Sequence, residues 1–354
     1  MLHMQKNNVL LYGANGYTGE LIARYAREYN LQPILAGRNE AKIAALANQY
    51  QLPYRIFSLD DATVLHQQLA DVQLVIHAAG PFSLTAKQMI EACIATQTHY
   101  IDINGDIPVF EFIKQYDTAA KQANVMLLPG AGFDVIPTDC IALRLKNELP
   151  DATHLQLAFI SSGGGLSHGT ATTMIQRIGE KALVRSNHQL VQKPFGHKGM
   201  WLNAAGQKRF VMSLQWGDIS TAHHTTGIPN IEVFTGMKPT VYRLLKFQFL
   251  FNWLLRTSFI RKRLQQRIDA APAGPTDEQR SKSNTFIWGK VWNAKAEERT
   301  ASLQCGNGYS VTAWGCLHIA LQIVQGKFKA GYQTPASVYG ETLIFQLPDS
   351  KKIS

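Results

Sequence analysis

Gly13-Ala14-Asn15-Gly16-Tyr17-Thr18-Gly19 follows directly on the apolar run at residues 9–12 and leads into an amphipathic stretch at 20–28. Strand, glycine loop and helix in that order make a cradle for a diphosphate. The free N–H groups and the dipole of the helix N-terminus attract the anion, and glycines remove the Cβ atoms that would hold it away. Gly19 also lets the helix pack closely on the strand. The spacing is G-x-x-G-x-x-G rather than G-x-G-x-x-G, so the string alone is a weak signal, and its place between strand and helix gives it weight. Gly13, Asn15, Gly16, Tyr17, Thr18 and Gly19 are therefore expected to contact a dinucleotide.

The second apolar run discriminates between dinucleotides. It ends Ile34-Leu35-Ala36-Gly37-Arg38-Asn39, where an NAD site normally places an acid to accept hydrogen bonds from the ribose 2′-OH. A guanidinium there can grip a 2′-phosphate that a carboxylate would repel. NADP is favoured over NAD, with Arg38 and Asn39 as its contacts. Asp60, after the third strand, reads either as an acceptor for the adenine amino group or as a cap for the helix that follows. The fourth strand ends His77-Ala78-Ala79-Gly80-Pro81-Phe82. Its small residues let the strand end lie against the cofactor, so Ala79, Gly80, Pro81 and Phe82 join the expected contacts. His77 lies inside the apolar strand and reads as a packed histidine rather than a base.

Up to about residue 150, short β-branched or aliphatic runs alternate with longer amphipathic ones. Strands are predicted at 9–12, 32–36, 54–57, 74–78, 100–103 and 125–128, with helices between them. That alternation is the signature of successive βα units and a parallel sheet. The fold class is α/β, a Rossmann-type doubly wound sheet, and ligands of such sheets bind at the carboxyl ends of the strands. From residue 154 the texture becomes more strand-like, with runs at 155–160, 210–214 and 231–234 broken by Gly and Pro, which fits a second α+β domain. The stretch 270–275 reads as a loop and 276–283 as a mobile polar run. The last part holds a strand at 301–304, a Gly-Asn-Gly turn at 306–308 and an apolar helix at 312–325. The predicted domains are 1–135 (dinucleotide-binding), 136–310 (substrate or dimerisation) and 311–354 (a helix and tail returning to the first).

A chain of 354 residues, 45% hydrophobic, can bury a full core across two such domains, which excludes a disordered or fibrous protein. Cys93, Cys140, Cys305 and Cys316 lie far apart without a C-x-x-C pair, so they read as buried thiols, and no metal is expected. No secretory leader pattern precedes the first strand, which implies a reducing, cytoplasmic setting. The formal charge of +10 is compatible with nucleic acid, anionic lipid or an anionic cofactor. Nucleic acid is disfavoured because no groove-reading element interleaves aromatic and basic residues.

Five segments together resemble the saccharopine dehydrogenase-like oxidoreductases, a family that includes the trans-acting enoyl reductases of lipid biosynthesis. They are GANGYTG at 13–19, AAGPF at 78–82, HYIDINGD at 99–106, PGAGFDVIPTD at 129–139 and GYQTPASVYG at 331–340. They occur in the family's order and span nearly the whole chain. The resemblance implies a Rossmann domain interrupted by a second α/β domain, and a C-terminal helix that returns to the first. It implies little about substrate. One departure stands at Asn104-Gly105-Asp106, where the family usually shows a small hydroxyl residue and then Gly-Glu.

Hydride transfer needs the nicotinamide to face a substrate carbon in a pocket that excludes water and stabilises developing charge. The best-placed residues follow strands five and six: Asp102 and Asn104 on one, Gly130, Gly132, Phe133 and Asp134 on the other. Gly132 and Phe133 read as a backbone approach and a wall for the nicotinamide. Asp134 and Asp102 are the candidate catalytic residues, Asp134 for proton transfer or for anchoring a substrate amine, with a helix cap as its alternative. The run at 161–170, rich in Ser and Gly, reads either as an oxyanion cradle or as a crossover. Tyr242 and Lys246 match the Tyr-x-x-x-Lys string of short-chain dehydrogenases, but they fall beyond the parallel-sheet pattern, and the match is rejected. The expected function is an NADP-dependent reductase of an acyl (enoyl) or imine-type substrate, small or lipid-linked. A non-catalytic NADP-binding or sensing module is the alternative.

Between residues 238 and 267 stand Lys238, Arg243, Lys246, Arg256, Arg261, Lys262, Arg263 and Arg267 with no acid among them. The same segment, 242–268, is dense in Leu, Phe and Trp yet too interrupted to span a bilayer. Two readings are open: an interfacial helix in peripheral contact with an anionic membrane, and a buried helix, with a homodimer interface as one setting for it.

Overall fold

The structure is a computed structural model that describes residues 6–163, 165–176, 179–204, 206–250 and 252–353, the side chain of Gln176 apart. It divides into two compact units. One comprises Met1–Ile136 and Gly308–Gly340, the other Pro137–Asn307 and Glu341–Ser354.

The first unit is built on a seven-stranded sheet. Its strands are β1 (Asn8–Tyr12), β2 (Ile34–Gly37), β3 (Tyr54–Ile56), β4 (Val72–His77), β5 (His99–Asp102), β6 (Met126–Leu128) and, much later in the chain, β15 (Gly331–Tyr332). Their order is β15-β6-β5-β4-β1-β2-β3, and every pairing is parallel. The reversal of strand order lies between β1 and β4, which is where a doubly wound sheet opens its ligand crevice. Leu10 and Leu11 of β1 and Leu74, Val75 and Ile76 of β4 are fully buried, as parallel strands covered on both faces must be. Pro33 has no amide hydrogen to contribute, and β2 accordingly starts at Ile34 rather than at the predicted residue 32. The helix Gly308–Val324 packs against the opening helix Tyr17–Tyr25, with the Tyr25 and Trp314 rings 6.2 Å apart.

The second unit holds a nine-stranded mixed sheet among its described residues. Its strands are β7 (His154–Ser161), β8 (Ala182–Ser186), β9 (Gln189–Lys193), β10 (Gly199–Ala204), β11 (Gln207–Leu214), β12 (Asn230–Gly236), β13 (Thr285–Trp292), β14 (Glu298–Cys305) and β16 (Lys351–Lys352). The main path runs β10-β11-β12-β7-β13-β14-β16, and the β8-β9 hairpin joins it through β12. Among the described residues of this sheet, β12 and β7 pair in parallel and the other pairings are antiparallel.

Two expectations are corrected. The last residues do not return to the first unit: β16 pairs antiparallel with β14, and Glu341–Ser354 belongs to the second. The polar run at 276–283 contains the helix Asp277–Ser281, because Thr276 and Gln279 form a reciprocal capping box. All four cysteines are buried thiols. Among the described residues, no helix is long and apolar enough to cross a membrane.

Candidate functional site

The glycine loop sits where the sheet reverses. Gly13 has φ +86°, and a Cβ there would stand 2.6 Å from the Ala79 amide nitrogen. Only glycine lets the first loop lie against the loop that follows β4. At Gly19 an added Cβ would strike the Gly13 carbonyl oxygen, so the opening helix packs on the loop backbone itself. The Gly13 and Ala14 amides both donate to the Ala36 carbonyl, at 2.8 and 3.3 Å, which fixes the loop over the end of β2. Gly16 is the N-cap residue of the opening helix, and no side chain caps it. The helix therefore presents its N-terminus to whatever occupies the crevice.

Arg38, the first residue beyond β2, is exposed and makes no hydrogen bond or ion pair among the described residues. Its charge is felt at the Tyr12 hydroxyl, whose pKa burial nonetheless pushes up to about 12. Asn39 and Asp60 have local duties. The Asn39 side chain accepts from Lys42 N at 3.0 Å and caps the helix Glu40–Tyr50. Asp60 is hydrogen-bonded to the Ser58 hydroxyl. Its neighbour Asp61 is the helix cap, accepting from Thr63 N at 2.8 Å and Val64 N at 3.1 Å.

After β4, Ala79, Gly80, Pro81 and Phe82 lead into the helix Phe82–Ala95, whose N-cap residue, Pro81, offers no side-chain acceptor. His77 is fully buried between the rings of Tyr12, Phe82 and Tyr100. Burial lowers its pKa to about 3, so it is a neutral packed ring with its Nε2 on the Thr85 hydroxyl at 2.9 Å.

The two candidate carboxylates separate clearly. Asp102, at the end of β5, is wholly buried and committed to its neighbours. The Tyr100 hydroxyl donates to Oδ2 at 2.7 Å, and the Asn104 and Gly130 amides donate to Oδ1 at 2.9 Å each. Burial raises its pKa to about 6 against the opposing pull of these donors. The arrangement makes Asp102 a clamp that joins the ends of β5 and β6. Asp134 is half-buried and caps no helix; its carboxylate makes no hydrogen bond among the described residues. One of its oxygens lies so close to Gly105 that a Cβ at 105 would collide with it. Loss of solvent, then the negative charge of Asp106, push its pKa up to about 7. A carboxyl poised at that value can hold or release a proton near neutral pH.

Three residues that sequence reading did not single out complete the crevice, all on the first turns of Gly308–Val324. The Tyr309 ring meets the Tyr17 ring edge-on at 5.0 Å. The Thr312 hydroxyl accepts from Phe133 N at 3.0 Å and donates to Gly308 O at 2.8 Å. Gly308 leaves room for the Phe133 ring, 3.1 Å from where its Cβ would be, and a Cβ at Gly132 would meet Thr312 at 2.6 Å. No local signal marks these residues, because their partners lie far upstream in the chain.

The run at 161–170 belongs to the second unit. Gly164 of that run lies outside the described residues, and Ser167 bonds the Thr170 hydroxyl at 3.1 Å at the start of the helix His168–Gln176. Tyr242 and Lys246 lie in the second unit too, with the Lys246 ammonium 4.7 Å above the Tyr242 ring.

Comparison with known proteins agrees with this architecture. The model of the saccharopine dehydrogenase NADP-binding domain matches residues 9–128. A lipid droplet localized protein of Caenorhabditis elegans is 28% identical over 191 residues, covering 49% of this chain and 45% of that protein. A putative trans-acting enoyl reductase of Mycobacterium tuberculosis is 26% identical over 183 residues, covering 48% and 43%. A saccharopine dehydrogenase-like oxidoreductase of Mus musculus is 23% identical over 203 residues, covering 50% and 47%. The aligned part is thus about half the length of each relative. Among solved structures, saccharopine dehydrogenase (L-Glu forming) of Saccharomyces cerevisiae superposes with a TM-score of 0.66 over 98% of this chain and 100% of that one, at 12% identity. The fold is therefore that of saccharopine dehydrogenase, and residues 9–128 match the model of its NADP-binding domain.

Proposed function

We propose that this chain is an NADP-dependent oxidoreductase acting on an acyl (enoyl) or imine-type substrate, with Asp134 handling the proton. The observation that carries the cofactor half is the free Arg38 guanidinium beside an uncapped glycine loop. The diphosphate would rest on the backbone of residues 13–19, the 2′-phosphate on Arg38, and the nicotinamide end among Ala79, Gly80, Gly132 and Phe133. When bound, the dinucleotide supplies or accepts a hydride. The protein's own part is to orient the ring through the backbone near Gly132, wall it with Phe133, and give or take a proton at the Asp134 carboxyl. The hydride and the proton together reduce one double bond of the substrate. The relatives named for enoyl reduction and for lipid droplets support a lipid-linked acyl chain over a small imino acid.

Titrating NADPH and NADH against the intrinsic tryptophan fluorescence tests the cofactor half, and equal affinities would remove the argument from Arg38. Incubation of the NADPH-loaded protein with a panel of enoyl thioesters and imino acids tests the reaction. Tight NADPH binding with no turnover of any member would favour a sensing module instead.

A further inference from the structure

Four consecutive helices of the second unit, Pro239–Leu245, Gln248–Leu250, Asn252–Leu255 and Ser258–Asp269, bury none of their residues. Phe251, also in this segment, lies outside the described residues. The expectation of a helix buried within the chain is thereby corrected. Phe249 is 70% exposed and Trp253 68%, and Leu244, Phe247, Leu250 and Phe259 are exposed with them. A run of large apolar side chains this open to water marks an interaction surface.

Charge chooses the occupant. From residue 238 to residue 268 there are eight cations and no acid. A second copy docked face to face would set the same charges against one another, whereas an anionic surface would neutralise them. The apolar residues need a phase they can enter, which a polynucleotide lacks. Trp253 is already prepared for such a phase, since its ring N–H donates to the Leu250 carbonyl at 2.9 Å. The Lys246 ammonium and Arg263 guanidinium lie over the Tyr242 and Phe259 rings at 4.7 and 5.3 Å, so apolar and charged groups are interleaved at short range, as at a headgroup boundary.

We propose that residues 239–269 dock the protein on an anionic phospholipid surface. Phe249, Leu250, Trp253 and Phe259 enter the acyl boundary, and Lys246, Lys262 and Arg263 face the headgroup phosphates. The segment lies in the interface and does not cross it.

Flotation of the full chain with vesicles of phosphatidylcholine, with and without phosphatidylserine, tests this. Binding is expected only with phosphatidylserine present, weakening as salt is raised. Phe249→Glu with Trp253→Glu, and separately Lys246→Gln with Lys262→Gln and Arg263→Gln, should each weaken it about tenfold or more. Melting temperature and NADPH affinity should stay at the parent values. No flotation, or flotation unchanged in both variants, overturns the proposal. A dimer in sedimentation velocity that Phe249→Glu with Trp253→Glu splits would assign the face to a second copy and overturn it equally.

Discussion

The backbone amide of Phe133 donates to the Thr312 hydroxyl at 3.0 Å, tying the loop after β6 to a helix 179 residues further along the chain. The bond holds the Phe133 ring against the start of that helix, with Gly308 beneath it. Thr312→Val keeps the shape but removes the acceptor, which should lower stability by about 1–2 kcal/mol. NADPH should bind correspondingly less tightly. Denaturant unfolding and cofactor titration of the variant check both, and unchanged affinity would place Phe133 outside the nicotinamide pocket.

Arg38 makes no ion pair among the described residues, so its replacement should leave the fold intact. Arg38→Ala removes a charge-assisted contact of about 1.5–3 kcal/mol. That corresponds to NADPH binding roughly 10- to 100-fold weaker, with NADH affinity little changed. Paired titrations with the two dinucleotides read the difference directly.

Asp134 should register in both turnover and stability. Its folded pKa of about 7 lies above the ordinary 3.8, so between those values the folded chain holds a proton that the unfolded chain has lost. Its contribution to stability is thus fully present below about pH 4 and is lost as pH rises towards 7, staying lost above that. Asp134→Asn removes this penalty. After a discount for its partial exposure, the variant should be more stable than the parent by about 2 kcal/mol at pH 8, and no more stable near pH 4. Turnover should fall by about 100-fold or more, the usual scale for losing a positioned acid. Thermal melts across pH, run beside the activity profile, measure the two effects; a variant with parental turnover would remove Asp134 from the chemistry.

Asp102 should behave as structure. Asp102→Ala strands the buried Gly130 and Asn104 amides and the Tyr100 hydroxyl, at about 1–3 kcal/mol for each unpaired group. Asp102→Asn keeps an oxygen for the two amides and should cost only about 1 kcal/mol. Urea midpoints of the two variants check the order. Should Asp102→Asn abolish turnover at unchanged stability, the carboxylate would belong to the reaction after all.

The first sheet was readable because parallel strands covered on both faces leave unbroken apolar runs, as in Val9-Leu10-Leu11 and Leu74-Val75-Ile76. The glycine loop could be placed because strand and helix bracket it. β15 escaped notice, since two residues make no pattern and only the register with Met126 and Leu127 defines it. β13 was hidden differently. Its burial alternates along Thr285–Trp292, but the less buried face carries Phe286, Trp288 and Trp292, so no polar rhythm accompanies the alternation. Within the site, Asp102 and Asp134 look alike locally as acids at strand ends. What separates them is tertiary, a Gly130 amide 28 residues away for one and a bare Gly105 for the other. Tyr309 and Thr312 were unreadable as site residues for the same reason.

The first unit is assembled from two stretches of chain, with Pro137–Asn307 inserted between them. During synthesis the strands of five of the six pairings emerge early, yet β6 remains an open sheet edge until Gly331–Tyr332 follows. The opening helix likewise waits for Gly308–Val324 to cover it. A nascent chain is thus unable to finish its nucleotide cradle until Pro137–Asn307 has already left the exit tunnel, so a domain begun with the first strands is closed only near the end of synthesis.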